Sequence, residues 1–233
     1  MIMMTGIIIM DNAALYRLMA WLSPSYPVGA FAYSHGIEWA VEDGRITNET
    51  TLLSWIDAVI SVGTGWSDAV LFCHAHDAGG SADSLIEIND LACALAPSLE
   101  RHLETTAQGT AFVKATLDAW PWPDSAALFK ALGPEIAYPV AVAATAQGHG
   151  IDKDPALHAY LHGFAANLVS AGVRLIPLGQ TDGQLSLRAL EPVVCNARDA
   201  ALSTPLDELG TATPVVDWTS MQHETQYTRL FRS

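Results

Sequence analysis

Apolar side chains recur at spacings of three and four residues along most of this chain, which is the period of an amphipathic α-helix. The pattern is clear in residues 12–22, 52–60, 99–117 and 157–175. No segment alternates apolar and polar residues for long enough to predict a β-strand. The sequence therefore predicts an all-α fold, organised as a single-domain helical bundle of about ten helices.

The length and the hydrophobic content agree with one large domain over residues 1–233. Of these 233 residues 50% are hydrophobic, and a chain of this size buries roughly 70 to 75% of its unfolded surface. Residues 137–147 are almost wholly apolar and rich in alanine, so we expect this helix to be buried on all sides. We interpret residues 1–10 as a flexible N-terminal tail and residues 214–233 as a partner-docking C-terminal tail.

The long helix predicted after Ser98 has an apolar stripe and a polar ridge. Leu99, Leu103 and Val113 belong to the stripe, which we expect to face the core of the bundle. Three polar side chains lie on the opposite side of the helix: Arg101, Glu104 and Gln108. Their spacing is typical of a solvated face with one weak ion pair, and the alternative is a ridge that docks a partner.

Charge and cysteine content narrow the class of protein. The formal net charge is −14 with only 11 Lys and Arg residues, which argues against nucleic-acid binding and favours basic partners. Three cysteines without a Cys-x-x-Cys motif predict reduced thiols in a cytoplasmic protein. The apolar run at residues 1–10 is shorter than the about 20 residues that span a bilayer, so we expect no membrane association.

Residues 21–39 interrupt the helical pattern with a shaped turn. Two prolines and a glycine between residues 24 and 29 fix backbone angles and permit a positive φ, so the helix that begins near Asn12 must stop here. Several aromatic residues surround the turn: Phe31, Tyr33 and Trp39. We expect the next helix to open at Ser34 and to close at Gly44.

Three blocks of sequence stand out because they occur together and in a fixed order. The first runs from Pro27 to Glu38 and contains Tyr33-Ser34-His35-Gly36. The second runs from Arg174 to Gln184 and contains Pro177-Leu178-Gly179-Gln180-Thr181-Asp182-Gly183, and the third runs from Met221 to Phe231. Together the blocks resemble the signature of the UreF family of urease accessory proteins. This resemblance implies a helical, non-enzymatic factor of urease maturation.

The resemblance also implies a set of partners. A protein of this family forms a homodimer, joins a second accessory protein called UreD or UreH, recruits the GTPase UreG and assists nickel insertion into apo-urease. It implies no tightly bound cofactor, because no block supplies the Cys/His cluster that a tight nickel site needs. Nickel can pass through the assembled complex, and whether the family mainly regulates the GTPase or also conducts the ion stays open.

The resemblance assigns partner contacts by position. Phe31 and Arg229 are implied to engage the GTPase, and the last dozen residues are implied to meet the UreD-type partner. The full set of expected partner-binding residues is Phe31, Tyr33, His35, Glu38, Gln180, Thr181, Asp182, Gly183, Gln184, His223, Glu224, Tyr227, Arg229, Leu230 and Phe231. No catalytic residue and no metal ligand is expected.

The second block also predicts a helix start. Thr181 is the expected N-cap and Gln184 the expected reciprocal side chain of a capping box. Gln180 and Asp182 then project at the positive end of the helix dipole, where a partner can be met.

The C-terminal tail has two interpretations. Large apolar and aromatic side chains surround Arg229, a composition typical of interface hot spots. We favour docking of the tail on a protein partner, and the alternative is that the tail folds back onto its own domain.

Two histidine groupings and one arginine leave other functions open. His158 and His162 are four residues apart on one helix, so an α-helical metal-dependent hydrolase could use them as metal ligands. Cys73 and His76 can also meet on one helix, although we expect Cys73 in the core. A further alternative is direct regulation of the partner GTPase by Arg229, acting as an arginine finger.

Overall fold

The structure is a computed structural model that describes residues 11–233, and its regular elements are all helices. It contains eleven α-helices and two short 3-10 turns, and no strand occurs in the described part of the chain. The helices are α1 (Asn12–Trp21), α2 (Ile37–Glu42), α3 (Glu49–Val62), α4 (Thr64–Asp77), α5 (Ala82–Ala94), α6 (Leu99–Ala119), α7 (Ser125–Ala131), α8 (Tyr138–Gly148), α9 (Lys153–Leu175), α10 (Gln180–Ala201) and α11 (Pro214–His223). The 3-10 turns are Ala30–Ala32 and Leu206–Glu208. The predicted all-α fold is confirmed, and the predicted tail at residues 1–10 lies outside the described residues.

Helix α8 lies at the centre of the bundle, as its composition predicts. Every residue from Pro139 to Ala146 is buried, and the helix packs against α4, α6 and α9. The approach of α6 is very close, because a Cβ added to Gly109 would lie 1.9 Å from the carbonyl oxygen of Ile136. Small residues therefore set the distance between the central helices.

Helices α3 and α4 supply a strongly apolar segment. Glu49–Asp77 is long and apolar enough, by composition, to cross a membrane, but 67% of its most apolar window is buried inside the bundle. Ile56, Ile60 and Phe72 are completely buried there. The segment is part of the core of this fold, and Gly63 divides it into two helices.

The predicted bend takes the form of a 3-10 turn followed by a left-handed corner. Gly36 has a φ of 77°, and His35 before it has a φ of 58°. Helix α2 consequently begins at Ile37 and not at Ser34. A Cβ at Gly36 would lie 2.9 Å from Thr219 Oγ1, so this glycine lets α2 pack directly on α11.

The first half of α6 faces the opposite way from the prediction. Leu99 and Leu103 are 72% and 49% exposed, whereas the polar ridge is buried. The exposed fractions of Arg101, Glu104 and Gln108 are 6%, 7% and 6%. The prediction of a solvated ridge is therefore wrong. The polar side chains are buried because they pair with one another and because Ser233 of the C-terminal segment donates to Glu104, which offsets the loss of hydration.

Candidate functional site

The first and third sequence blocks meet at a group of buried charges, which we call the ion cluster. Its six members are Glu38, Glu100, Arg101, Glu104, His223 and Arg229. Helix α2 contributes one of them, α6 contributes three, α11 ends with the histidine, and the C-terminal segment (residues 224–233) adds the second arginine. All but Arg229 are less than 8% exposed. Buried charges require paired partners, so the cluster fixes how these elements fit together.

Glu38 holds the C-terminal segment by its main chain. Its Oε1 accepts a hydrogen bond from the N–H of Leu230 at 2.6 Å, and its Oε2 accepts one from the N–H of Phe231 at 2.9 Å. The same Oε2 lies 3.0 Å from His223 Nε2. One buried carboxylate thus accepts from three donors. If the C-terminal segment detached, the Glu38 carboxylate would lose two of these hydrogen bonds.

His223 is completely buried between two carboxylates. Its Nδ1 lies 2.7 Å from Glu100 Oε2, and its Nε2 lies 3.0 Å from Glu38 Oε2. Both nitrogens face carboxylate oxygens, an arrangement that favours the imidazolium form, because a neutral ring has only one N–H to donate. Burial lowers the pKa of His223, but the hydrogen bonds to Glu100 and Glu38 outweigh burial and raise the pKa above its ordinary value of 6.5.

Arg229 closes the ion cluster on the solvent side. Its Nη1 lies 2.9 Å from Glu100 Oε1, and 39% of its side chain is exposed. Glu100 therefore pairs with both Arg229 and His223. The sequence did not single out Glu100, because a glutamate in the first turn of a helix is common for dipole reasons alone.

The inner end of the ion cluster contains Glu104, Arg101 and the neighbouring His35. Arg101 forms a salt bridge with Glu104. Burial raises the pKa of the Glu104 carboxyl. Arg101 and His35 have the larger, opposite effect, and the pKa is lowered to about 2. Burial lowers the pKa of His35 to about 4, and the Arg101 charge acts in the same direction. His35 is therefore a neutral ring, with its Nε2 2.5 Å from Thr64 Oγ1.

The C-terminal segment folds back onto the domain. The main-chain oxygen of Ser233 accepts hydrogen bonds from the N–H and the hydroxyl of Ser34, at 2.5 and 2.6 Å. The N–H of Arg232 donates to the Ala32 oxygen at 2.7 Å, and the Ser233 hydroxyl donates to Glu104 at 2.9 Å. This arrangement is the alternative that the composition of the tail did not favour. Docking of its exposed side chains on a partner stays a prediction.

Arg174, from the second block, connects the other two blocks by stacking. Its guanidinium carbon lies 3.8 Å from the centroid of the Phe31 ring and 4.1 Å from that of the Phe231 ring. Its Nη2 also donates to the main-chain oxygen of Phe31 at 2.9 Å. Phe31 is 69% exposed, whereas Phe231 is 4% exposed. All three blocks therefore meet beside the ion cluster.

The predicted partner-binding residues divide by exposure. The exposed ones are Phe31, Gln180, Thr181, Gln184, Tyr227, Arg229 and Leu230. The partly buried ones are Asp182 and Glu224, and the buried ones are Tyr33, His35, Glu38, Gly183, His223 and Phe231. The buried side chains contact the rest of this chain, so they support the exposed residues and do not themselves form the surface. Contact of any of these residues with a partner stays a prediction.

The start of α10 differs from the predicted capping box. The N-cap is Gly179, and the carboxylate of Asp182 accepts a hydrogen bond from the Gly179 N–H at 2.7 Å. Thr181 is not the cap and is exposed. Within residues 11–233, no hydrogen bond or salt bridge joins residues 180–184 to the ion cluster. The second block therefore meets the other two through Arg174 and not through residues 180–184.

The histidine pairs do not form a metal centre in the described chain. His158 and His162 line a groove of about 570 Å³ between α1 and α9. His76 Nε2 lies 2.8 Å from the Ile151 oxygen, and burial raises the pKa of the Cys73 thiol to about 12. Across residues 11–233, no three or more His, Cys, Asp or Glu side chains are grouped to hold a metal ion.

The fold is all-helical, and the buried charges that the sequence blocks bring together pair with one another and with the C-terminal segment. The sequence model described as UreF matches residues 46–191 of this chain. The urease accessory protein UreF of Rhodopseudomonas palustris strain BisB5 is 50% identical over 225 residues, which cover 96% of this chain and 93% of that protein. The UreF of strain BisA53 is 52% identical over 223 residues, covering 95% and 94%. The UreF of Bradyrhizobium sp. strain BTAi1 is 51% identical over 229 residues, covering 96% and 94%.

The chain belongs to the UreF family of non-enzymatic urease accessory proteins. The resemblance seen in the three blocks is therefore confirmed. The alternative of a metal-dependent hydrolase that uses His158 and His162 is wrong, because the family is not enzymatic.

Proposed function

We propose that this chain is a scaffold of urease maturation that works by holding other proteins in place. It joins a UreD/UreH-type accessory protein, recruits the GTPase UreG and assists nickel insertion into apo-urease. It acts as a homodimer in the cytoplasm. Nickel is cargo of the assembled complex, and no tightly bound cofactor is part of the proposal.

The proposal is supported by the exposed surface next to the ion cluster, which is formed by Phe31, Tyr227 and Leu230. Tyr227 is fully exposed there, and Phe31 and Leu230 are 69% and 65% exposed. Large apolar side chains of this kind are typical of protein interaction sites. Their main chains are fixed, since the Leu230 N–H is bound to Glu38 and the Phe31 oxygen to Arg174. A surface that is ordered before binding loses less conformational entropy when a partner docks.

The proposal is tested by co-purification of the tagged chain with apo-urease, the UreD-type protein and UreG. We expect the double variant Phe31→Ala and Leu230→Ala to bind the GTPase about tenfold or more weakly, because truncating exposed anchors removes hot-spot contacts. Val62→Ala is the control, since Val62 is 45% exposed and ends helix α3, outside the three sequence blocks. Full retention of every partner by the double variant would contradict the proposal.

Direct regulation of the GTPase through Arg229 is the second candidate, because 39% of this side chain is exposed. An arginine finger must reach the transferring phosphate, whereas this guanidinium is paired with Glu100. The variant Arg229→Ala separates the two roles. Loss of assembly supports the scaffold, and a fall in GTP turnover with assembly intact supports regulation.

A further inference from the structure

The ring of Phe31 stands on a short turn with few supports of its own. It belongs to the 3-10 turn Ala30–Ala32, and a Cβ at the preceding Gly29 would meet no atom within 4 Å. No aromatic pair in the described part of the chain includes this ring. The guanidinium of Arg174 lies over the face of this ring. The direction of this ring therefore depends on a residue 143 positions away.

Arg174 is itself held in place. It lies in the last turn of the 23-residue helix α9, where a cation is favoured by the helix dipole. Its Nε donates to the Ser170 oxygen at 3.3 Å and its Nη2 to the Phe31 oxygen at 2.9 Å. Its guanidinium carbon also lies 4.1 Å from the centroid of the buried Phe231 ring. Two hydrogen bonds and two ring contacts together restrict the position of this cation.

We infer that Arg174 is a positioning residue, which orients the exposed Phe31 ring for insertion into an apolar pocket of the GTPase partner. The inference rests on the proposed function and adds a residue to it. Phe231 acts in the same direction, since the guanidinium of Arg174 also lies over its ring. Folding back of the C-terminal segment and presentation of Phe31 are therefore one coupled event.

A double-mutant cycle on partner affinity tests this inference. The chain is purified with its UreD-type partner, and the dissociation constant for UreG is measured for Arg174→Met, Phe31→Ala and the combination. We expect each single variant to weaken binding about tenfold. The combination should bind no more than about twofold more weakly than Phe31→Ala, because a residue that acts through the ring has no effect once the ring is absent.

Two further variants separate positioning from general destabilisation. Arg174→Lys keeps the charge but loses the planar stack, so it should weaken binding as Arg174→Met does. Phe231→Leu keeps an apolar side chain without a ring face and should also weaken binding. Arg188→Met is the matched control, since Arg188 is exposed on α10, and it should leave the dissociation constant unchanged.

The possible results are distinguishable. Losses from Arg174→Met and Phe31→Ala that multiply to about a hundredfold would show independent contributions and overturn the inference. Unchanged affinity for Arg174→Met and Arg174→Lys, with a loss for Phe31→Ala, would overturn the inference and leave the proposed function intact. No loss for Phe31→Ala alone would count against both.

Discussion

At the scale of single residues, the most informative side chain is Glu38, because three donors share its carboxylate. They are the N–H groups of Leu230 and Phe231 and the ring of His223. An ordinary surface glutamate contributes little to stability. When a buried glutamate loses its charge, the buried cation and the donors that it pairs with are left without an anionic partner.

We expect Glu38→Gln to lower the free energy of unfolding by about 3 kcal/mol, since the amide removes the negative charge that His223 and the two N–H groups require. Urea unfolding measures this change. Glu42→Gln is the control on the same helix, because Glu42 is exposed, and its effect should stay within about 0.5 kcal/mol. Equal effects of the two substitutions would show that the ion cluster does not stabilise the fold.

The imidazolium of His223 gives stability a dependence on pH. Its pKa in the folded protein is raised above 6.5, so its contribution is fully present below about pH 6.5 and is lost as the pH rises through the raised value. The groups that face this ring are Glu38 from α2 and Glu100 from α6.

The difference in unfolding free energy between the natural chain and His223→Gln should therefore be largest below about pH 6.5 and should shrink as the pH rises through the raised pKa of His223. His35, whose pKa is lowered to about 4, acts in the opposite sense on acidification. It is present in both proteins and so cancels in the difference. A difference that grows with pH would contradict the charge assigned to His223.

At the scale of elements, how closely two helices approach depends on glycines at positions where a side chain would not fit. A Cβ at Gly109 on α6 would lie 1.9 Å from the Ile136 oxygen, whereas at Gly163 on α9 the nearest atom would be the Leu22 oxygen at 3.6 Å. Both glycines are inside helices, so the gain in helix propensity from alanine is the same.

We expect Gly109→Ala to destabilise the chain by about 3 kcal/mol, because α6 must move away from the start of α8. Gly163→Ala, its matched control, should be neutral or stabilising by up to about 1 kcal/mol. Thermal unfolding of the two variants provides the comparison. Similar shifts in both would show that the α6 and α8 contact is not tight.

Helix α6 also shows the limit of pattern reading at this scale. Its length and its start at Ser98 were predictable from spacing and capping. The face that it buries was not, because Leu99 and Leu103 are exposed while Arg101 and Glu104 are inside. Hydrophobic periodicity assumes that charges remain in water, and this assumption fails where distant segments supply partners.

At the scale of the whole molecule, the C-terminal segment closes the structure over the bend. Removal of residues 224–233 would delete Arg229, the two N–H donors to Glu38 and the hydroxyl donor to Glu104. Buried carboxylates that lose their partners are strongly destabilising. The segment is thus part of the fold as well as a candidate interface.

A chain that ends after His223 should be less stable by at least about 3 kcal/mol, as measured by urea unfolding, and should lose the GTPase partner. Tyr227→Ala is the control within the segment, because Tyr227 is fully exposed, and it should leave stability unchanged. Native stability in the truncated chain would show that the segment contributes nothing to the fold.

The sequence by itself determined the all-α class, most helix positions, the buried character of α8 and the family, since helical periodicity and motif order are local properties. Only the tertiary structure decided which face of α6 is buried, that the C-terminal segment folds back, and that Arg174 stacks on Phe31. The physical reason is separation along the chain: His223 lies 185 positions from Glu38 and 123 from Glu100. A charge is stable in the interior only beside its partner, and no local pattern specifies a partner that folding alone brings near.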